Sequence, residues 1–314
     1  MTNILRAEDY IAEKLTIQPI SKSRLDDLCV EVNRELVEKY DLIWNENTKR
    51  FDCKHNVILG TDAVNNGKLI IKFGRVDGDF TCYKIGLTTL YGVPEEIDGD
   101  FNCNNNMLKS LEHSPKSIMG NYYCANNNLK TLKGLSSKIG KGFFCDENNL
   151  TSLEYAPQEI GSNFCCPKNQ LTTLEGAPKI VNGDFICYHN KLTTLEGAPQ
   201  KVDGDFNCSN NNLTTLEGAP KEVSEYFYCS SNNLTTLEGA PQEIGCSFNC
   251  SDNNLTTLEG APNMVGGSFY CSNNKLTSLE GAPQKVDGNF YCRNNPNLVL
   301  PKEKPSWVKG EIHN

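Results

Sequence analysis

Fifteen cysteines in 314 residues are the densest chemistry in this sequence. Thiolates ligate soft metals, exchange disulfides and attack as nucleophiles, so their spacing decides what they are for. Eleven recur every 21 residues: Cys82, Cys103, Cys124, Cys145, Cys166, Cys187, Cys208, Cys229, Cys250, Cys271 and Cys292. Only Cys29, Cys53, Cys165 and Cys246 stand outside the series, and no pair has CxxC spacing. Ligand sets converge, whereas a fixed interval marks one structural position used again and again. Each serial cysteine therefore reads as a small buried hydrophobe, and no metal or cofactor is expected. Cys165 and Cys246 are expected to face outward.

The remaining chemistry is thin. His55, His113, His189 and His313 have no metal-binding spacing. No nucleophile elbow, phosphate loop or dinucleotide fingerprint occurs, and the glycines recur as turn residues. One glutamate per unit (Glu154, Glu175, Glu196 and onward) precedes Gly or Tyr. A catalytic carboxylate pair needs environments that separate two pKa values, which a periodic row does not provide. Asn149, Asn212, Asn233 and Asn254 begin Asn-Leu-Thr sequons, read as parts of the repeat. No catalytic residues are assigned.

The elements that position these residues follow from the repeat, F-x-C-x-x-N-x-L-T-T-L-E-G-A-P-x-x-V-x-G-D in its cleanest copies. An aromatic stands two before every serial cysteine, from Phe80 through Tyr122 to Phe290. Asparagine follows three after each, except at Ile85. F-x-C alternates, so both side chains share one face of a short strand. Identical strands stacked at about 4.8 Å build a parallel sheet in which each repeat buries its neighbour. The two leucines and the Val or Ile fill the interior, the asparagines satisfy turn backbone, and Gly-Ala-Pro sends the chain back.

The run F-x-C-x-x-N-x-L resembles the L-x-L-x-x-N-x-L signature of leucine-rich repeats. Its L-T-T-L-x-x-x-P continuation resembles the short repeats of bacterial effectors, lengthened by one residue at the Gly-Asp step. The resemblance covers residues 80–300. It implies a repeat solenoid: a leucine-rich-repeat array with a parallel β-sheet on the concave face and an extended, turn-rich convex side. Near-identical Cys/Asn-rich arrays also resemble those of bacteriophage and bacterial proteins. Some such effectors carry a ligase domain after the array; the 14 residues beyond Leu300 are too few for one.

Four segments are expected: a helical N-terminal cap at 1–50, a degenerate repeat or transition at 51–79, eleven repeats at 80–300, and a C-terminal tail at 301–314. Leu25, Leu28, Val32, Leu36 and Val37 make the apolar stripe of a helix over 21–40, capped by Ser21 or Ser23. Phe51-x-Cys53-x-x-Asn56 resembles a worn copy of the unit, and Leu69–Phe73 reads as a strand.

Positions that vary within the constant frame carry the functional signal. The residue before the cysteine points away from the core, giving Asn102, Tyr123, Phe144, Asn207, Tyr228, Asn249, Tyr270 and Tyr291 as a candidate partner surface. Tyr188 and Arg293, just after the cysteine, join it, with Tyr83 nearby. Asp100 and Asp205, with Asp79 and Asp184, add an acidic edge. Aromatics in a row suit interface anchoring or cross-strand cohesion. The net charge of −9 argues against nucleic-acid binding. With no leader or apolar span, a cytoplasmic location is expected (host cytoplasm if phage-encoded), with no membrane partner. A non-enzymatic protein-binding scaffold, favoured as a monomer, is expected, in its sharper form an inhibitor of a host or defence protein. The alternatives are a self-associating structural component and an enzyme acting through residues 1–79.

Overall fold

The computed structural model describes residues 4–6 and 31–314. They form two compact units: residues up to 129 with 133–140, and residues 130–132 with 141–314. Each is a parallel-strand β-solenoid of the leucine-rich-repeat type, one repeat to a turn.

The turn beginning at Phe206 shows how sequence makes the fold. Phe206–Asn207 pairs in parallel with Phe185–Ile186 on one side and Phe227–Tyr228 on the other, each residue with its counterpart 21 positions away. Phe206 and Cys208 are fully buried, and Asn207 between them faces out. The chain bends through Asn210 at φ +55°, a left-handed position asparagine tolerates. Leu213 and Leu216 then fill the interior. A second short strand, Glu222–Val223, pairs with Lys201–Val202 and buries Val223. Two sheets thus enclose columns of Phe, Cys, Leu, Leu and Val or Ile.

The turn glycine before Ala-Pro is fixed by space. Gly197 has φ +90°, and a β-carbon there would lie 2.5 Å from the backbone nitrogen of Glu175 in the preceding turn.

Two ladders tie one turn to the next. In the second unit the phenylalanines from Phe143 to Phe290 stand in file with neighbouring ring centroids 5.2–5.7 Å apart. The asparagines form the other. Asn211 Nδ2 donates to the carbonyls of Cys208, Ser209 and, one turn back, Cys187, while its Oδ1 accepts the Leu192 N–H at 3.0 Å. The same pattern recurs at Asn232, Asn253 and Asn274. Burying an amide costs free energy unless its groups are bonded, and here the asparagine column meets that demand for side chain and turn backbone together.

In the first unit the file runs from Phe73 and Phe80 through Phe101 to Tyr122. Tyr122 replaces Phe and is fully buried, so its hydroxyl needs a partner; Ser114, at the usual alanine position, lies 2.8 Å from it.

Both ends differ from expectation. The helix spans only Arg34–Lys39, because Glu31–Asn33 is strand; residues 21–30 lie outside those described. Leu36 and Val37 are buried. The helix stops where Asp41 adopts φ +43° and the Leu42 N–H returns to the Val37 carbonyl. Tyr40 Oη donates to the Ile58 carbonyl at 2.7 Å, covering part of the first sheet's opening strand, Val57–Ile58.

Phe51-x-Cys53-x-x-Asn56 is not a worn copy of Phe-x-Cys-x-x-Asn. Arg50–Cys53 belongs to a five-stranded sheet of the first unit, the counterpart there of the second unit's Val or Ile sheet; in it Cys53 pairs with Val76, and Val57 and Leu59 occupy the Phe and Cys positions. Val57 follows Cys53 by four positions, as Phe80 follows Val76, so burying Val57 and Leu59 sets the register. Leu69–Phe73 is likewise not one strand. Lys68–Leu69 closes a hairpin with Val64–Asn65 around Asn66-Gly67, both at positive φ, and a separate strand starts at Phe73.

The segment 301–314, expected as a tail, makes another turn. Ile312–His313 pairs with Phe290–Tyr291, Val308 bridges to Val286, and Trp307 packs edge-on against Phe290 at 5.3 Å.

Candidate binding surface

The outward face of the first sheet is built from strand residues whose neighbours on either side are buried. Asn102 and Tyr123 hold this position in the first unit, and Phe144, Cys165, Ile186, Asn207, Tyr228, Asn249, Tyr270 and Tyr291 hold it in the second, each half-buried rather than freely exposed. The asparagines use their own oxygens locally: Asn102, Asn207 and Asn249 accept the N–H groups of Asn104, Ser209 and Ser251, each at 3.0 Å.

The tyrosines of the second unit are ordered against one another. Tyr270 and Tyr291 lie face to face with centroids 4.6 Å apart and planes 1° apart, and His313 continues the file at 4.5 Å and 9°. The Tyr291 hydroxyl accepts from Asn289 Nδ2 at 3.0 Å. Tyr228 runs parallel to Tyr226 at 5.6 Å. Tyr270 and Tyr291 thus cover part of each other's faces, a cross-strand contact that holds neighbouring turns together.

After the cysteine, Tyr188 is half-buried with its ring edge-on to His189, while Tyr83 and Arg293 are exposed. The acidic edge also has an internal duty. Asp79 Oδ1 accepts the Asp100 N–H, Asp184 Oδ1 that of Asp205, and Asp205 Oδ1 that of Tyr226. Asn289 and Ser268 hold the same station in other turns. At least one carboxylate oxygen of each aspartate is therefore committed to the fold, and at Asp184 both are, since Oδ2 accepts from Asn163 Nδ2 at 2.9 Å. Burial and then Asp100 push the Tyr123 phenol up, which places Asp100 and Tyr123 in one field within the first unit.

Three outward residues escaped the sequence reading. Tyr226 and Glu225 replace the Asp and Gly of the usual Gly-Asp step and are exposed. His313 was legible in Val308-x-Gly310-Glu311-Ile312-His313, a faint copy of V-x-G-D-F-x whose missing cysteine hides the register.

The serial cysteines are core. Cys208 and Cys250 are fully buried and donate weakly to the carbonyls of Tyr228 and Tyr270 at 3.4 and 3.3 Å. Burial pushes their thiols far up, away from the nucleophilic thiolate. Cys165 and Cys246 are half-exposed, and burial raises those thiols too. Among the described residues no group of three or more His, Cys, Asp or Glu could hold a metal, and no helix is long and apolar enough to cross a membrane.

No family model matches the chain, and no curated protein matches it in sequence. Among solved structures it is similar to YopM from Yersinia enterocolitica WA-314, at 17% identity and a TM-score of 0.38, over 83% of this chain and 80% of that one. It is also similar to YopM, a leucine-rich effector protein from Yersinia pestis, at 17% identity and a TM-score of 0.46, over 83% and 89%. The fold assignment rests on the strand register and the asparagine ladder.

Proposed function

We propose that this chain is a non-enzymatic scaffold that binds a protein partner through the outward face of its first sheet. The supporting observation is a contrast between columns. The columns of buried cysteine, asparagine and leucine hold one residue type almost without exception, while the outward position before the cysteine runs Phe144, Cys165, Ile186, Asn207, Tyr228, Asn249, Tyr270, Tyr291. A row kept only for cohesion has no reason to vary, whereas one that recognises a particular surface does. Tyrosine suits such a row because its rigid ring loses little entropy on binding and ends in a polar group.

The sharper reading is sequestration, in which the face occludes a host or defence protein in the cytoplasm. A second reading, self-assembly, is favoured by the near-verbatim L-T-T-L-E-G-A-P turns, which present one surface many times over. No activity is assigned to residues 1–79.

Capture tests the first reading. The intact chain is immobilised, bacterial lysate is passed over it, and retained proteins are identified beside a Tyr228→Ala/Tyr270→Ala/Tyr291→Ala control of matching circular dichroism. A protein held by the native chain and lost from the control is expected. Equal retention would move the site elsewhere. Sedimentation of the purified chain as a concentration-dependent oligomer that captures nothing would favour self-assembly.

A further inference from the structure

The middle of this outward face is acidic and aromatic, and among the described residues no lysine or arginine of these turns stands on it; the nearest basic groups are His189, edge-on to Tyr188, and Lys168 one turn earlier. From Asp184 to Asp252, the strand positions and their immediate flanks carry Asp184, Asp205, Glu225 and Asp252, with Tyr188, Tyr226 and Tyr228 among them. The lysines of these turns stand elsewhere. Lys201 lies in the second sheet, paired with Asp203; Lys221 precedes that sheet; Lys191 lies beyond the asparagine ladder. Glu225, Tyr226 and Asp252 are exposed, and Asp184 and Asp205 half-buried.

These groups feel one another. Burial, then the Asp184 and Glu225 charges, push the Asp205 carboxyl up, and Asp205 in turn raises the Tyr228 phenol after burial. Like charges gathered on one face cost stability, and an oppositely charged partner relieves that cost. Donors also stand ready. The oxygens of Asn207 and Asn249 are used locally, but their Nδ2 groups have no partner among the described residues. Amide N–H groups on an open sheet face fit the carbonyls of an extended backbone.

We infer that the face from Asp184 to Asp252 takes an extended, arginine-bearing segment of a protein partner. This rests on the outward sheet face being the binding surface. Arginine is preferred to lysine because its planar guanidinium both forks onto a carboxylate and stacks on a tyrosine ring. Phosphate-rich partners are repelled by the same charges.

Fluorescence anisotropy of a labelled, end-blocked (Arg-Ser)6 peptide, with (Lys-Ser)6 beside it, tests this on the full chain. Asp184→Asn/Asp205→Asn/Glu225→Gln should weaken (Arg-Ser)6 about tenfold. Asparagine keeps the Oδ1 acceptor, as Asn163 and Asn289 do in the same column, so the variant should fold. Glu217→Gln/Glu238→Gln/Glu259→Gln, equal in charge change but placed on the turn row, should stay within about twofold, since exposed charges act weakly at a distance. Tyr226→Ala/Tyr228→Ala should erase a preference for arginine over lysine of about fivefold.

The inference fails if (Arg-Ser)6 does not bind, if both charge variants weaken it alike, or if the native chain binds both peptides equally. It also fails if millimolar calcium chloride displaces the peptide through Asp184 and Asp205, which would make the carboxylates a cation site. A lysate protein still captured through the tyrosines while the peptide fails would leave the scaffold reading standing without this one.

Discussion

Asp146 shows how a single outward residue can work against the fold that holds it. It follows Cys145, is half-buried, and has an Oδ1 sealed from solvent with no hydrogen-bond partner among the described residues. Burial raises its carboxyl from 3.8 to about 6. A raised folded pKa means that the folded chain binds the proton more tightly than the unfolded chain does. The penalty is therefore full above about pH 6 and relieved as pH falls from 6 toward 4. Asp146→Asn should stabilise the protein by about 1–3 kcal/mol at pH 7.5, discounted for partial exposure, and by little at pH 4. Urea titrations at both pH values check this; an equal gain at each would assign the effect to packing rather than charge. None of this was legible in the sequence, where Asp146 is one of several polar residues following a cysteine. The commitment of Asp79, Asp184 and Asp205 to neighbouring N–H groups was hidden for the same reason, since an acidic edge and a hydrogen-bond ladder share one spacing.

At the scale of the element, the 21-residue period already contained most of the answer. Phe-x-Cys alternation defined the first strand, and the Val or Ile column marked the interior of the second. The asparagine recurring in all turns but that of Ile85 announced a polar ladder. Cys53 misled because Phe-x-Cys-x-x-Asn is matched letter for letter by residues that occupy the other sheet; only the distance to Val57 and the burial of Val57 and Leu59 reveal it. The stacking of Tyr270 on Tyr291 was equally out of reach, because register places side chains in a row without fixing their planes. The ladder makes its own prediction. Asn211→Ala removes an acceptor from the buried Leu192 N–H and a donor from three carbonyls. It should cost about 3 kcal/mol, while Asn212→Ala, exposed one residue later, should change stability by less than about 0.5 kcal/mol. Comparable losses from both would mean that the buried amide does not carry the turn.

At the largest scale, turn touches turn within the second unit almost entirely through identical contacts. Each Phe meets the next Phe, and each Asn reaches back to the same carbonyls and the same Leu N–H. Stability in such arrays is a sum over neighbours, and no distant contact fixes the number of turns. Deleting residues 193–213 from the second unit joins Leu192 to Thr214 and restores Leu-Thr-Thr-Leu-Glu at the seam. The shortened chain should fold, keep its circular dichroism per residue, and unfold at a modestly lower urea concentration. Aggregation or loss of cooperative unfolding would show that the units are not interchangeable. The asparagine ladder thus has a hereditary meaning: a copying slip of one whole unit in the coding sequence leaves every joint intact while sliding the outward residues by one place. Recognition in such a protein can be rewritten by adding or dropping a link, with no intermediate that fails to fold.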